Sequence, residues 1–196
     1  MPMGRGDGRP RARVRPDLIL PRHAGDAVRL VAAVAVLLLS AELVHRNRVA
    51  RLEVDAFRIV NDLPGTLYPF VWPVMQLGNI LAVPVVAAAA GLTRRFRLAA
   101  NLAMAGAGCW LLAKLVKRLV ERPRPSFFLH DVHIRGTADT GLGYVSGHAA
   151  VSVALASVAS PYLPRRARRV VWALAAVVCL SRMYVGAHLP LDVVGG

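Results

Sequence analysis

Residues 27–44 read AVRLVAAVAVLLLSAELV, an apolar run interrupted only by Arg29 near its start and Glu42 near its end. A helix needs about 20 predominantly apolar residues to cross the hydrocarbon core of a bilayer, so this run predicts a membrane-spanning helix. Four further runs of the same character lie at residues 67–90, 98–116, 147–163 and 170–185. The first of these four carries Pro69, Pro73 and Pro84, which a soluble helix tolerates badly. In a membrane bundle, neighbouring helices satisfy the carbonyls that proline frees. The run at 98–116 offers Ala103, Gly106, Ala107 and Gly108 as a small-residue face for close helix contact. The last two runs are short and would recruit flanking residues. The predicted fold is all-α, a polytopic membrane helical bundle with five spans.

Composition supports this outward from the runs. The 196 residues are 56% hydrophobic, yet they include 25 Lys+Arg against 11 Asp+Glu, a formal net charge of +14. A soluble nucleic-acid-binding domain can carry that charge but is not this apolar, and a disordered basic chain lacks such Val, Leu and Ala runs. No nucleic-acid partner is expected. Cys109 and Cys179 sit inside apolar runs and are too few for a disulfide scaffold.

Residues 1–26 are rich in Arg, Gly and Pro and read as a disordered basic tail. Residues 27–196 form a single membrane domain. Between the first two spans, Val49, Leu52, Ala56, Ile59, Val60 and Leu63 recur at helical spacing among Arg48, Arg51, Asp55, Arg58 and Asp62, which predicts an amphipathic helix at the interface. Arginines concentrate in the tail, in Arg94, Arg95 and Arg97, and in Arg165, Arg166, Arg168 and Arg169. An even number of predicted spans separates each of these segments from the next, so the positive-inside rule makes all three cytoplasmic. The N-terminus is then inside, and the opposite, extracytoplasmic face receives residues 46–65, residues 117–145 and the stretch after the fifth span.

That opposite face collects polar residues that a bundle does not need. The connection 117–145 is long for a compact domain, and loops of this length are commonly functional. Around it stand Lys114, Lys117, Arg122, Arg124, His130, His133 and His148, joined from the end of the fifth span by Arg182, His188 and Asp192. Snorkelling at an interface accounts for Lys114, Arg118 and Arg122. It does not account for His148 and His188, each in a glycine-containing setting. Lys and Arg together make a cradle for phosphate oxygens. Ser146-Gly147-His148 opens the fourth span, where Ser146 can cap the helix and its first N–H groups can face an anion. Within such a pocket one histidine can attack phosphorus while another protonates the leaving oxygen, and a carboxylate can hold one imidazole nitrogen so that the other faces the substrate.

Three of these stretches match motifs. Lys117 with Arg124-Pro125 fits K-x6-R-P, Ser146-Gly147-His148 fits P-S-G-H except for its first position, and Ser181-Arg182 through His188 to Asp192 fits S-R-x5-H-x3-D. In this order, at the ends of these spans, the chain resembles the type 2 phosphatidic acid phosphatase family over about residues 55–196. The resemblance implies an integral-membrane phosphatase with a pocket like that of vanadium haloperoxidases, acting on a lipid phosphate or diphosphate such as phosphatidate, phosphatidylglycerophosphate or a polyprenyl phosphate. It implies that Lys117, Arg124 and Arg182 bind the phosphate, with donors added by Ser146 and the Gly147 amide. His188 is then the nucleophile that forms a phosphohistidine, Asp192 its orienting partner and His148 the general acid. No metal and no cofactor are implied, and the expected location is a bacterial plasma membrane with the site extracytoplasmic. A phosphotransferase using the same site, or a non-catalytic membrane module of a larger protein, are the alternative readings.

Two departures stand out. Val145 replaces the proline before Ser-Gly-His, which bears on the stiffness of the entry to the fourth span rather than on the chemistry. Family members have a sixth span beginning near the motif aspartate, whereas four residues follow Asp192 here, so the chain reads as a fragment of a longer protein. His130 and His133, with Asp131 between them, lack a third firm ligand and read as loop polarity rather than a metal site. Tyr144 and Tyr184 flank the motifs. Oligomeric state has no signature in the sequence.

Overall fold

The structure is a computed structural model, and it describes residues 24–45, 49–137 and 140–196. The expected disordered tail lies almost wholly outside the described residues, as do Arg46 to Arg48 at the start of the expected amphipathic segment. Among the described residues the architecture is all-α. Helices α1 (Ala24–His45), α2 (Arg51–Asn61), α3 (Tyr68–Met75), α4 (Ala82–Leu92) and α5 (Phe96–Val120) are followed by the single turn α6 (Pro125–Phe128). Then come α7 (Gly147–Ala159), α8 (Arg165–Tyr184) and the short α9 (Pro190–Gly195).

Two stretches, Gly25–His45 and Phe96–Phe128, are long and apolar enough to cross a membrane. A third qualifies if Gly65–Gly78 and Ala82–Leu92 count as one span bent by 69°. This is a membrane protein with two to three candidate spans. The expected span at 67–90 is therefore bent rather than one continuous helix. Asn79 adopts an extended backbone, and its side-chain oxygen accepts the Leu81 N–H at 3.1 Å, a local turn that competes with helix continuation. Pro84 then falls in the first turn of α4, where its missing N–H costs nothing.

The packed centre lies between α4, α5 and α7, with α8 against α7. Val83, Leu98, Leu102, Val151, Leu155 and Tyr162 form its main cluster. Gly106 explains how closely α5 approaches α4, because a Cβ there would sit 2.6 Å from a Val83 methyl. Gly108, which shares the small-residue run, faces open space. Outside this centre Val28, Leu30, Val31, Leu38 and Leu39 of α1 and Met104, Leu111, Leu112 and Leu115 of α5 are exposed. A band of that size would be a liability in water and is ordinary against lipid.

Helix α2 forms where the amphipathic pattern lies, but its orientation carries a surprise. Leu52 and Ile59 on the apolar stripe are 80% and 75% exposed, while Glu53, Phe57 and Asn61, one row over at four-residue spacing, turn inward. One edge of the stripe thus points away from the protein, while Val49 and Val60 pack against the core and a charged residue, Glu53, points inward.

Candidate active site

Prolines and glycines bring the three motif stretches together. Helix α5 ends at Glu121, whose φ of 50° is left-handed and whose N–H bonds to the Lys117 carbonyl. Pro123 and Pro125 follow, and each disfavours helix at the residue before it, so Arg124 is extended and crosses toward the end of α8. Helix α8 ends at Tyr184, and Gly186 at φ +77° turns the chain into the buried stretch that holds His188. Pro190 opens α9 at its first position, as expected. Asp192 then accepts the Leu189 N–H through Oδ2 at 2.8 Å.

Ser146 caps α7, accepting the Ala149 N–H at 3.4 Å, and its own N–H donates to the Asp192 carbonyl at 2.8 Å. The cap leaves the Gly147 and His148 N–H groups in the first helical turn, where no intrahelical acceptor reaches them. Gly78 lets the preceding segment pack directly on this turn, since a Cβ would lie 2.6 Å from the His148 carbonyl oxygen.

His188 is 2% exposed. Its Nε2 lies 3.2 Å from Nη1 of Arg124, a nitrogen that can only donate, so Nε2 carries the lone pair and the ring proton belongs on Nδ1. Nδ1 faces Asp192 Oδ2 at 3.7 Å, beyond hydrogen-bond reach, and has no other partner among the described residues. The expected orienting carboxylate is thus in position but not yet in contact. Burial holds the His188 imidazole well below its ordinary value of 6.5, and Arg124, Lys117, Arg182 and His148 add to the shift in that order. The ring is therefore neutral near neutral pH, the state a nucleophile requires.

The three expected cations converge from three stretches. Lys117 Nζ donates to the Leu142 and Gly143 carbonyls at 2.7 and 3.0 Å, and its third proton has no acceptor among the described residues. Arg124 also donates from Nε and Nη2 to the Thr140 carbonyl, at 3.2 and 2.9 Å, and from Nη1 to the Ala187 carbonyl. Arg182 is buried, with Nη1 2.7 Å from the Met75 sulfur and no hydrogen-bond partner for Nε among the described residues. A buried guanidinium with an unmet donor is primed for an anion. His148 and Arg182 both line a cavity of about 310 Å³, shared with Tyr68, Trp72, Gln76 and Asn79.

Behind His188 the structure corrects one sequence reading. Arg122, expected to snorkel at the interface, is 2% exposed. It makes two parallel bonds to Glu53, Nη1 to Oε1 at 3.1 Å and Nη2 to Oε2 at 3.0 Å, and its Nη1 also reaches Asp192 Oδ1 at 2.7 Å. Burial pushes the Asp192 carboxyl up, and Arg122 and the Leu189 N–H oppose that shift. Glu53 escaped the sequence reading altogether, although its spacing from Phe57 and Asn61 was the available signal. Asn61 was also missed. Its side chain ties the His133 backbone at both N–H and carbonyl to the Met183 and Tyr184 carbonyls, at 2.9 to 3.1 Å. Arg135 reinforces this clasp from the Asn61 and Leu63 carbonyls and stacks over the Tyr184 ring.

The flanking residues are structural. Tyr144 is fully buried and hydrogen-bonds Ser40 Oγ and the Leu37 carbonyl on α1, both at 2.8 Å, while Tyr184 donates to the Pro64 carbonyl. His130 and His133 are exposed, and His133 lies 3.7 Å from Asp62.

The family model for the PAP2 superfamily matches residues 96–196, a stretch that contains every motif residue named above. The chain belongs to the PAP2 superfamily. Two crystal structures share the fold of this PAP2 protein. LpxE from Aquifex aeolicus matches with a TM-score of 0.69 at 23% identity, covering 74% of this chain and 91% of its own. A PAP2-type phosphatidylglycerolphosphate phosphatase from Bacillus subtilis matches with a TM-score of 0.62 at 22% identity, covering 84% and 87%. Curated protein sequences yield no significant match.

Proposed function

We propose that this PAP2 protein is an integral-membrane phosphatase that hydrolyses a lipid phosphate or diphosphate through a phosphohistidine. The observation that carries the reading is the placement of His188, a buried ring whose Nε2 lies 3.2 Å from Arg124 Nη1 and whose Nδ1 faces the Asp192 carboxylate. In this reading the cations hold the phosphoryl oxygens, and Ser146 and the Gly147 N–H complete the cradle. Nε2 attacks phosphorus, the bond to the leaving oxygen breaks, and His148 supplies the proton that oxygen needs. The substrate's own negative charge favours that proton on His148. Water then attacks the phosphohistidine with His148 as base, inorganic phosphate departs and His188 is restored.

The Bacillus relative is a phosphatase of phosphatidylglycerolphosphate, which supports a lipid phosphate as substrate here. The full reading includes five spans, with α7 and α8 crossing alongside the longer helices, an interfacial α2, a cytoplasmic N-terminus and a site on the extracytoplasmic face. It involves no metal or cofactor.

Phosphate release from phosphatidate, phosphatidylglycerophosphate and a polyprenyl diphosphate in mixed micelles tests this reading. Wild type should turn over at least one of them with EDTA present, and His188→Ala should be inactive. Equal release by both proteins would remove His188 from the mechanism, and turnover that requires an added alcohol acceptor would make the enzyme a transferase.

A further inference from the structure

Glu53, Arg122 and Asp192 form a chain of buried charges that ends behind His188 and that no step of the proposed reaction uses directly. All three are nearly sealed from solvent, at 6%, 2% and 0% exposure. Such networks are expensive to bury, and well-packed apolar residues commonly serve stability as well or better. Arg122 even leaves its Nε without a partner among the described residues. The arrangement therefore calls for a reason other than stability.

Charge counting supplies one. When Nε2 bonds to phosphorus with the proton on Nδ1, the imidazole becomes cationic. The groups facing it are Arg124, Lys117, Arg182 and His148 on one side and Asp192 on the other. Asp192 is the anion among them, yet it is bonded at 2.7 Å to Arg122, which taken alone would cancel it. Glu53 prevents the cancellation by engaging both terminal nitrogens of Arg122, so the trio has a formal net charge of −1. Its Oε1 also accepts the Leu191 N–H at 3.1 Å, which fixes α2 to the first turn of α9 and so fixes Asp192 relative to the ring.

We propose that Glu53 is a positioning residue for phosphoryl transfer, clamping Arg122 so that Asp192 is held, with its charge uncompensated, behind Nδ1 of His188. The inference rests on His188 being the nucleophile. It assigns an electrostatic task to an interfacial helix whose sequence carries none of the three motifs.

The test compares Glu53→Gln, which keeps shape and loses charge, with Glu53→Asp, which keeps charge, using phosphate release by the full chain in mixed micelles and normalising rates to folded protein. Glu53→Gln should lower kcat by about 10- to 100-fold, the scale on which supporting partners act in metal sites, with KM little changed. It should also move the acid limb of kcat/KM to lower pH, because one fewer negative charge disfavours the imidazolium. Glu53→Asp should keep the limb at its wild-type position. A Glu53→Gln enzyme with kcat within about twofold of wild type, or one that is slower with an unmoved limb, would overturn the proposal, since a purely structural role leaves the limb in place. Activity in His188→Ala would instead overturn the mechanism on which the proposal rests.

Discussion

The two motif histidines have the same side chain and opposite surroundings. His188 is enclosed by backbone, three cations and a carboxylate, whereas His148 stands half-buried at the mouth of a cavity lined by Trp72, Gln76 and Asn79. An enclosed neutral imidazole beside arginine suits a nucleophile that must stay unprotonated. An imidazole open to a cavity can exchange protons with water and with the leaving group. In the proposed mechanism their different positions, rather than their chemistry, divide the labour between them.

The enclosed side is the place to break this comparison hardest. His188→Ala should cost at least about 10³-fold in phosphate release, because the covalent path disappears. Arg122→Ala should destabilise the fold by about 3–5 kcal/mol, the range for breaking a buried pair, since it strands the Glu53 and Asp192 carboxylates together. Denaturant unfolding in micelles measures this, and a loss under about 1 kcal/mol would mean that water reaches the network. On the open side, His148→Ala should slow hydrolysis by about 10²-fold for an alkyl phosphate, as for loss of a general acid. The penalty should shrink for a nitrophenyl phosphate, whose leaving oxygen needs no proton. An equal penalty for both substrates would assign His148 to binding instead.

The smallest expected effect is on pH dependence. The folded protein keeps His188 neutral well below 6.5, while the unfolded chain takes up a proton near 6.5, so the unfolded state binds more protons between those two values. His188 therefore contributes its full stability above pH 6.5 and loses it as pH falls toward its folded-state value, at no more than about 1.4 kcal/mol per pH unit. Thermal unfolding of wild type and His188→Asn from pH 7.5 to 5 should differ in slope in that direction. Parallel slopes would place His188 in solvent contact and undo the contrast with His148.

Much of the site was legible because its residues are locally encoded. Lys117 and Arg124-Pro125, Ser146-Gly147-His148, and Arg182 through His188 to Asp192 each sit in a short stretch bounded by proline or glycine, and such stretches are read without knowing what lies opposite. Arg122 was misread for the converse reason. An arginine just past an apolar helix is usually solvated, and it is the carboxylates of Glu53 and Asp192, contributed from distant stretches of the chain, that make its burial tolerable. The bend within the candidate span at 67–90 was not legible because hydropathy counts apolar residues and is blind to the turn that Asn79 makes with Leu81.

By itself the sequence determined the all-helical class, the membrane setting and the three motif stretches of the PAP2 superfamily, since periodicity, apolar length and turn residues act over a few neighbours. Tertiary structure alone decided that Glu53 turns inward while Leu52 and Ile59 turn out, that Arg122 is clamped between two carboxylates, and which histidine is sealed. Those outcomes depend on residues 69 or 70 positions apart sharing one low-dielectric space, where an unpaired charge is too costly to leave and a paired one can be put to use.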